Sequence, residues 1–285
     1  MIFVSTCGFR DIDGAKAAKK MINAGIRNIE LSGGLYNKKT VSSLIKTSDR
    51  ANLQIHNYFP PPEIPFVLNL ASTNDLIAKK SIEHVYKSIK LSATLGRPVY
   101  SFHAGFLLDP NISELGKKVK QRELQDRGLA LNLFLNRVNE IDRFAQSLSV
   151  RLLVENNVIS QNNYLTFGDN PFLMTSCEEC LYVMKNTSPN VSLLVDIGHL
   201  KVSANVLGYD PISFLNRCLI HTGGYHFSEN CGNIDSNDLI EKTSWFWPFV
   251  RKDLDYYSIE VSTSSIPKLL QQYKIAESMI SEKPL

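Results

Sequence analysis

The sequence predicts an α/β protein folded as a single (β/α)8 TIM barrel, and three observations predict it. Eight short, mostly apolar segments recur along the 285 residues without strict alternation, the pattern of buried parallel strands. Stretches with 3.6-residue apolar periodicity lie between most of them. No Gly-x-Gly-x-x-Gly follows the first strand, which removes the phosphate-binding fingerprint of an open doubly wound sheet. Strand and helix alternate about eight times, the count of a barrel. No linker, internal repeat or low-complexity segment divides the chain, so one domain over residues 1–285 is expected.

The elements follow in order. Residues 2–6 are the first strand; they lack the basic start and long apolar run of a secretory signal. Residues 11–25 begin acidic and stop on glycine, as a helix does. Strands at 28–31 and 53–58 precede a long helix at 74–96, again closed by glycine. A strand at 98–103 leads to a helix at 123–148, and a strand at 151–155 to a helix at 177–186. Strand 191–196 is followed by a helix at 211–221, strand 224–228 by a helix at 237–254, and strand 256–261 by a closing helix at 265–280.

Composition narrows the function classes. A chain this long buries about three quarters of its unfolded surface and needs no staples. The net charge is +3 and the pI about 8.5, below the basic range above about 9 that marks a nucleic-acid footprint. No apolar run reaches the ~18 residues of a membrane span. Five scattered cysteines (Cys7, Cys177, Cys180, Cys218, Cys231) read as free thiols in a reducing compartment, so a cytoplasmic location is expected. Cys177 and Cys180 form a lone CxxC without a second pair and read as thiols opening a helix. A homo-oligomer is compatible with the sequence.

In a barrel the active site lies where the strands end. His56 sits on the third strand, His103 on the fourth and His226 on the seventh. Glu155 ends the fifth strand, Asp196 the sixth with His199 three residues on, and Glu260 lies on the eighth. Seven ionisable side chains on otherwise apolar strand ends would carry a large desolvation cost unless paired. A divalent metal is the economical partner for converging carboxylates and imidazoles. The remaining histidines, His84 and His221, fall in or at the end of helices and read as structural or solvated. Trp245 and Trp247, after the seventh strand, are candidate substrate contacts because aromatic faces suit sugar rings and flipped nucleotides. The prolines of 59–65 stiffen the loop after the third strand, and the basic run at 117–122 reads as a solvated face.

The segments Leu-Val-Glu155-Asn-Asn, Val-Asp196-Ile-Gly-His199, His226-Phe-Ser-Glu-Asn and Ser-Ile-Glu260-Val carry a family resemblance. In that order, spaced by 41, 30 and 34 residues, they resemble the strand-five-to-eight signature of the xylose isomerase-like TIM-barrel superfamily. That superfamily includes sugar isomerases, ketose epimerases and abasic-site endonuclease IV. The epimerase branch implies one Mn, Mg or Co ion held by Glu155, Asp196, His226 and Glu260. It also implies Glu155 and Glu260 as the acid/base pair, His199 as a substrate contact and a small carbohydrate as substrate.

The endonuclease IV branch implies zinc instead. Ile-His56-Asn-Tyr-Phe and Phe-His103-Ala-Gly resemble its third- and fourth-strand segments. They would complete one zinc position from His56, His103 and Glu155, and a second from Glu155, Asp196, His226 and Glu260. His199 and Asp235 match a third position, which Asn237 leaves without its last histidine. The sequence also departs from the phosphodiesterase pattern at Glu229-Asn230, and no arginine between His226 and Arg251 matches the epimerases' substrate arginine. The expected function is a metal-dependent sugar or sugar-phosphate isomerase or epimerase. The alternatives are a two-zinc phosphodiesterase acting on abasic DNA, with nucleic acid as partner, and a barrel without catalysis serving as a binding module.

Overall fold

A computed structural model describes residues 1–281. Eight parallel strands close into one barrel in sequence order: β1 (Ile2–Ser5), β2 (Asn28–Leu31), β3 (Asn52–His56), β4 (Val99–His103), β5 (Arg151–Glu155), β6 (Val191–Asp196), β7 (Thr222–Phe227) and β8 (Tyr257–Ile259), the last pairing with β1. The fold is the (β/α)8 barrel that the sequence predicts.

Each strand splits its side chains between two environments. Val4, Ile29, Ile55, Phe102, Val154, Val195, Phe227 and Ile259 join the apolar layer beneath the helices. The alternate residues face the barrel axis, where Phe3, Val99, Leu153, Leu194 and Tyr256 form a separate apolar cluster. Two or more residues further along the same inward parity come Glu30, His56, Ser101, His103, Glu155, Asp196, His226 and Glu260. The barrel interior therefore changes from apolar to ionisable toward the strand ends, which is what places the site.

Helix starts follow local capping chemistry. Asp13 accepts amide bonds at the start of α1 (Gly14–Asn23), which packs after β1. After the short α2 (Thr40–Ile45), Asn74 caps α3 (Asp75–Thr94) and Asp126 caps α4 (Arg127–Ser147). Ser160 and Ser176 cap α5 (Gln161–Phe167) and α6 (Cys177–Lys185). Asp196 caps α7 (Ile197–Leu207), Asp210 caps α8 (Pro211–Cys218), and α9 (Ile266–Ser281) closes the ring. The helices α2, α5 and α7 lie outside the sequence expectation; α2 and α5 are short, and α7 follows the last residue of β6 directly.

One expected helix does not form. Residues 237–254 run as turns with a short 3-10 segment at Trp247–Phe249. Pro248 lacks the amide a helix needs there. Phe246, Trp247 and Val250 are buried in the core from these turns instead of from a helix. The segment starts instead with an antiparallel bridge between Glu229 and Asp238, which folds the β7–β8 connection back on itself.

His84 lies buried in α3, stacked on Tyr58 at 4.9 Å and edge-on to Phe66, so the two helix-placed histidines divide: His84 is structural, while His221 ends a 3-10 turn. Burial, then the nearby Lys87, lowers the His84 pKa to about 4, against a backbone contact at Asn57. The native state thus stays neutral here while the unfolded chain takes up a proton near pH 6.5. Stability falls as pH drops from 6.5 toward 4, by about 3 kcal/mol in full. His84→Phe should remove that part of the slope, read as urea midpoints at pH 7 and 4.5; an unchanged slope would assign it elsewhere.

Candidate metal centre

One nitrogen organises the mouth of the barrel. His226 Nδ1 lies 2.7 Å from Glu260 Oε2, 3.3 Å from Glu155 Oε1 and 3.7 Å from Asp196 Oδ2. The four residues of the strand-five-to-eight signature thus converge from four consecutive strand ends. Asp196 serves two purposes at once: its Oδ1 accepts the His199 amide at 2.7 Å as the α7 cap, leaving Oδ2 to the site.

Glu155 is the shared carboxylate. Its Oε2 lies 3.4 Å from His56 Nε2 and 3.5 Å from His103 Nε2, and its Oε1 lies 3.6 Å from His199 Nδ1. His56 Nδ1 is held by Ser101 Oγ at 2.9 Å. His199 Nδ1 sits 2.9 Å from the Asn156 carbonyl, and its Nε2 is 3.3 Å from Asp235 Oδ2. Asn237 adopts φ of 50° and its carbonyl accepts the Ser262 amide at 2.7 Å.

Two groups have ligand atoms all within 4.8 Å of one another: His56, Glu155, His226 and Glu260, and His103, Glu155 and His199. The sequence sets His56 beside His103 on Glu155, and the structure has both imidazole Nε2 atoms against Glu155 Oε2 with the two rings 5.5 Å apart. Closure of the barrel brings β3 opposite β7, so the His56 ring packs 4.8 Å from His226, while His103 packs 5.4 Å from His199. Asp196 stands outside both groups, reaching the first through His226.

The residues present fit a divalent ion. Glu155 Oε1 and Oε2, Asp196 Oδ2 and His226 Nδ1 are buried without a hydrogen-bond partner. Such atoms are costly to leave unsatisfied, and carboxylate oxygens with imidazole nitrogens are the donors that Zn, Mn, Co or Mg accept. The charges are already coupled. Burial opposes ionisation of Glu155, yet His103, His226 and His56 hold its pKa well below the carboxylate range. Burial likewise opposes charging of His226, but Glu30, Glu155 and Glu260 hold its pKa well above the usual imidazole value. Burial lowers His103 to about 4 against the pull of Glu155, and raises Asp196 to about 7 against the pull of His199.

Gly198, in the Asp196-Ile-Gly-His199 turn, is a packing requirement. A Cβ there would stand 2.5 Å from Ser228 Oγ and 3.2 Å from both Asn230 Nδ2 and Asp196 Oδ1. This close packing lets the first turn of α7 hold the Asp196 carboxylate and His199 together.

The aromatic expectations divide. Trp247 is only 2% exposed, packed 4.9 Å from Phe227 and 4.5 Å from Phe246, with Nε1 donating to the Glu241 carbonyl. It is a core residue and presents no face to a substrate. Trp245 remains part-exposed, edge-on to Phe246, with Nε1 lacking a partner. The exposed aromatic on the β2 loop is Tyr36, beside Lys38, Pro60 and Pro61 in a surface cleft.

The sequence reading missed Glu30. It is fully buried on β2, and its Oε2 lies 3.0 Å from His226 Nε2 and also accepts the Tyr256 hydroxyl. A lone carboxylate inside an apolar strand, Asn-Ile-Glu30-Leu, was the available signal.

No helix among the described residues is long and apolar enough to cross a membrane. The sequence matches no curated protein. The structure resembles a D-tagatose 3-epimerase-like protein at 18% identity and a TM-score of 0.73, covering 98% of this chain and 96% of that one. It also resembles the TTHB071 protein of Thermus thermophilus, soaked with zinc chloride, at 17% identity and a TM-score of 0.63 (97% and 98% covered). Endonuclease IV of the same organism matches at 16% identity and a TM-score of 0.58, with 99% of each chain covered. At these identities the likeness shows the fold. The family model described as a xylose isomerase-like TIM barrel matches residues 18–237, and with its ordered Glu155, Asp196, His226 and Glu260 the chain belongs to that family.

Proposed function

We propose that this chain is a metal-dependent enzyme that isomerises or epimerises a small sugar or sugar phosphate by proton transfer next to a carbonyl. The observation that carries the reading is the pair of carboxylates at one ligand nitrogen. Glu155 and Glu260 approach His226 Nδ1 at 3.3 and 2.7 Å from different strands. Glu260 keeps 15% of its side chain accessible, so an entering substrate reaches it, while Glu155 is closed to solvent. One carboxylate takes the proton from carbon and the other returns it, and each needs the other's complementary protonation state. A divalent ion held by Glu155, Asp196, His226 and Glu260, with His56 beside them, would stabilise negative charge developing on the substrate oxygen. His199 and Asp235, joined at 3.3 Å, line the side of the mouth where a sugar hydroxyl would hydrogen-bond. The folds that resemble this one include an epimerase-like protein, and one was soaked with zinc.

A second reading, hydrolysis of phosphodiesters with two zinc ions on abasic DNA, is favoured by one observation. His103, Glu155 and His199 form a second potential ligand group. Asn237 counts against a third ion, because its side-chain amide is a poor zinc ligand.

Elemental mass spectrometry of the purified chain and a panel of ketoses test the choice. One Mn, Mg or Co per chain with epimerase turnover supports the proposal. In that case His103→Ala should cost less than about tenfold in kcat/KM, because His103 lies outside the first ligand group. Two zinc ions and cleavage of abasic DNA that His103→Ala abolishes would overturn it. No ion after reloading would leave a binding module.

A further inference from the structure

We propose that Glu30 is a positioning residue that fixes which nitrogen of His226 faces the metal centre. The inference rests on the reading of Glu155, Asp196, His226 and Glu260 as ligands. A neutral imidazole can carry its proton on either nitrogen, and only the bare nitrogen can ligate. The three signature carboxylates all gather on Nδ1 of His226. On the other side of the ring, Glu30 Oε2 lies 3.0 Å from Nε2. A carboxylate accepts only, so it binds the Nε2–H form and leaves the Nδ1 lone pair to the site.

The surroundings hold this arrangement. Glu30 and His226 are both closed to solvent, so no water competes for the contact. The Tyr256 hydroxyl donates to the same Glu30 oxygen, which orients the carboxylate from β8. The His56 ring packs edge-on against His226 at 4.8 Å, which limits rotation of the imidazole. Glu30 Oε1 has no partner, so the bonds that Oε2 accepts from His226 Nε2 and from the Tyr256 hydroxyl are the ones that fix this side chain. Partners behind a ligating histidine typically set its tautomer and raise its basicity, and losing them weakens metal affinity by about 10–100-fold.

The test compares zinc affinity, by chelator competition, for the full chain and for Glu30→Ala, Glu30→Gln and Tyr256→Phe, with folding checked by circular dichroism. Glu30→Ala should weaken binding by about 10–100-fold. Glu30→Gln keeps the shape but replaces the charged acceptor with a neutral one, so it should recover only part of that loss, whereas a purely packing role would be restored in full. In the zinc-loaded wild type, the His226 Nε2–H resonance should lie far downfield; it should move upfield in Glu30→Gln and vanish by solvent exchange in Glu30→Ala. Should Glu30→Ala not fold, Glu30→Gln and Tyr256→Phe carry the same comparison, each expected to weaken zinc binding and shift the Nε2–H signal. Folded variants that bind zinc within about twofold of wild type with an unmoved resonance would overturn the assignment. A wild type that binds no zinc would overturn the metal-centre reading, and this assignment with it.

Discussion

Glu155→Gln is expected to empty the centre: metal content should fall below a tenth of wild type after identical loading, and turnover should drop at least a thousandfold. Glu155 is the one residue common to both potential ligand groups. Its two oxygens face His56, His103, His199 and His226 within 3.3–3.6 Å, and both lack any other partner. Removing one member of a buried charged set costs about 3–5 kcal/mol, which is a factor of about 10²–10⁴ in a binding constant. The amide keeps the size of the side chain and removes the charge that balances the histidines. Element counts per chain and steady-state rates on the same preparation check it; a variant with full metal and near-normal rate would remove Glu155 from the centre.

Glu260→Gln is expected to separate binding from chemistry. Glu260 is the part-exposed carboxylate of the set, 2.7 Å from His226 Nδ1. Loss of a positioned general acid or base typically costs about 10²–10⁴ in rate. The amide still offers an oxygen toward the ion, so metal affinity should fall by less than the rate does. The informative measurement is exchange of the substrate's carbon-bound proton with deuterated solvent, which should stop along with turnover. Continued exchange at the wild-type rate would mean that another group moves the proton.

The fold was legible because strand and helix periods are local properties of the chain. Eight apolar runs with helical stretches between them leave few ways to bury a parallel sheet, and closure into a barrel is one of them. The errors at the element level have local causes too. The helix expected at 237–254 has the apolar spacing of a helix, but Pro248 interrupts it. Helix α7 begins directly after β6 with no loop between them, and the two oxygens of Asp196 serve its cap and the site at once.

By itself the sequence determined the barrel and put seven ionisable residues at or near its strand ends, and the order of Glu155, Asp196, His226 and Glu260 carried the resemblance to the family. Only the tertiary structure decided how that set is partnered. It set the His56 ring against both His103 and His226, and His103 against His199, because which rings meet inside a barrel depends on how its strands close. It buried Trp247 in the core and left Trp245 part-exposed, a choice that two aromatic residues two positions apart cannot announce. It also brought Glu30 against a histidine 196 residues away, and no period in the chain encodes a contact made across the interior.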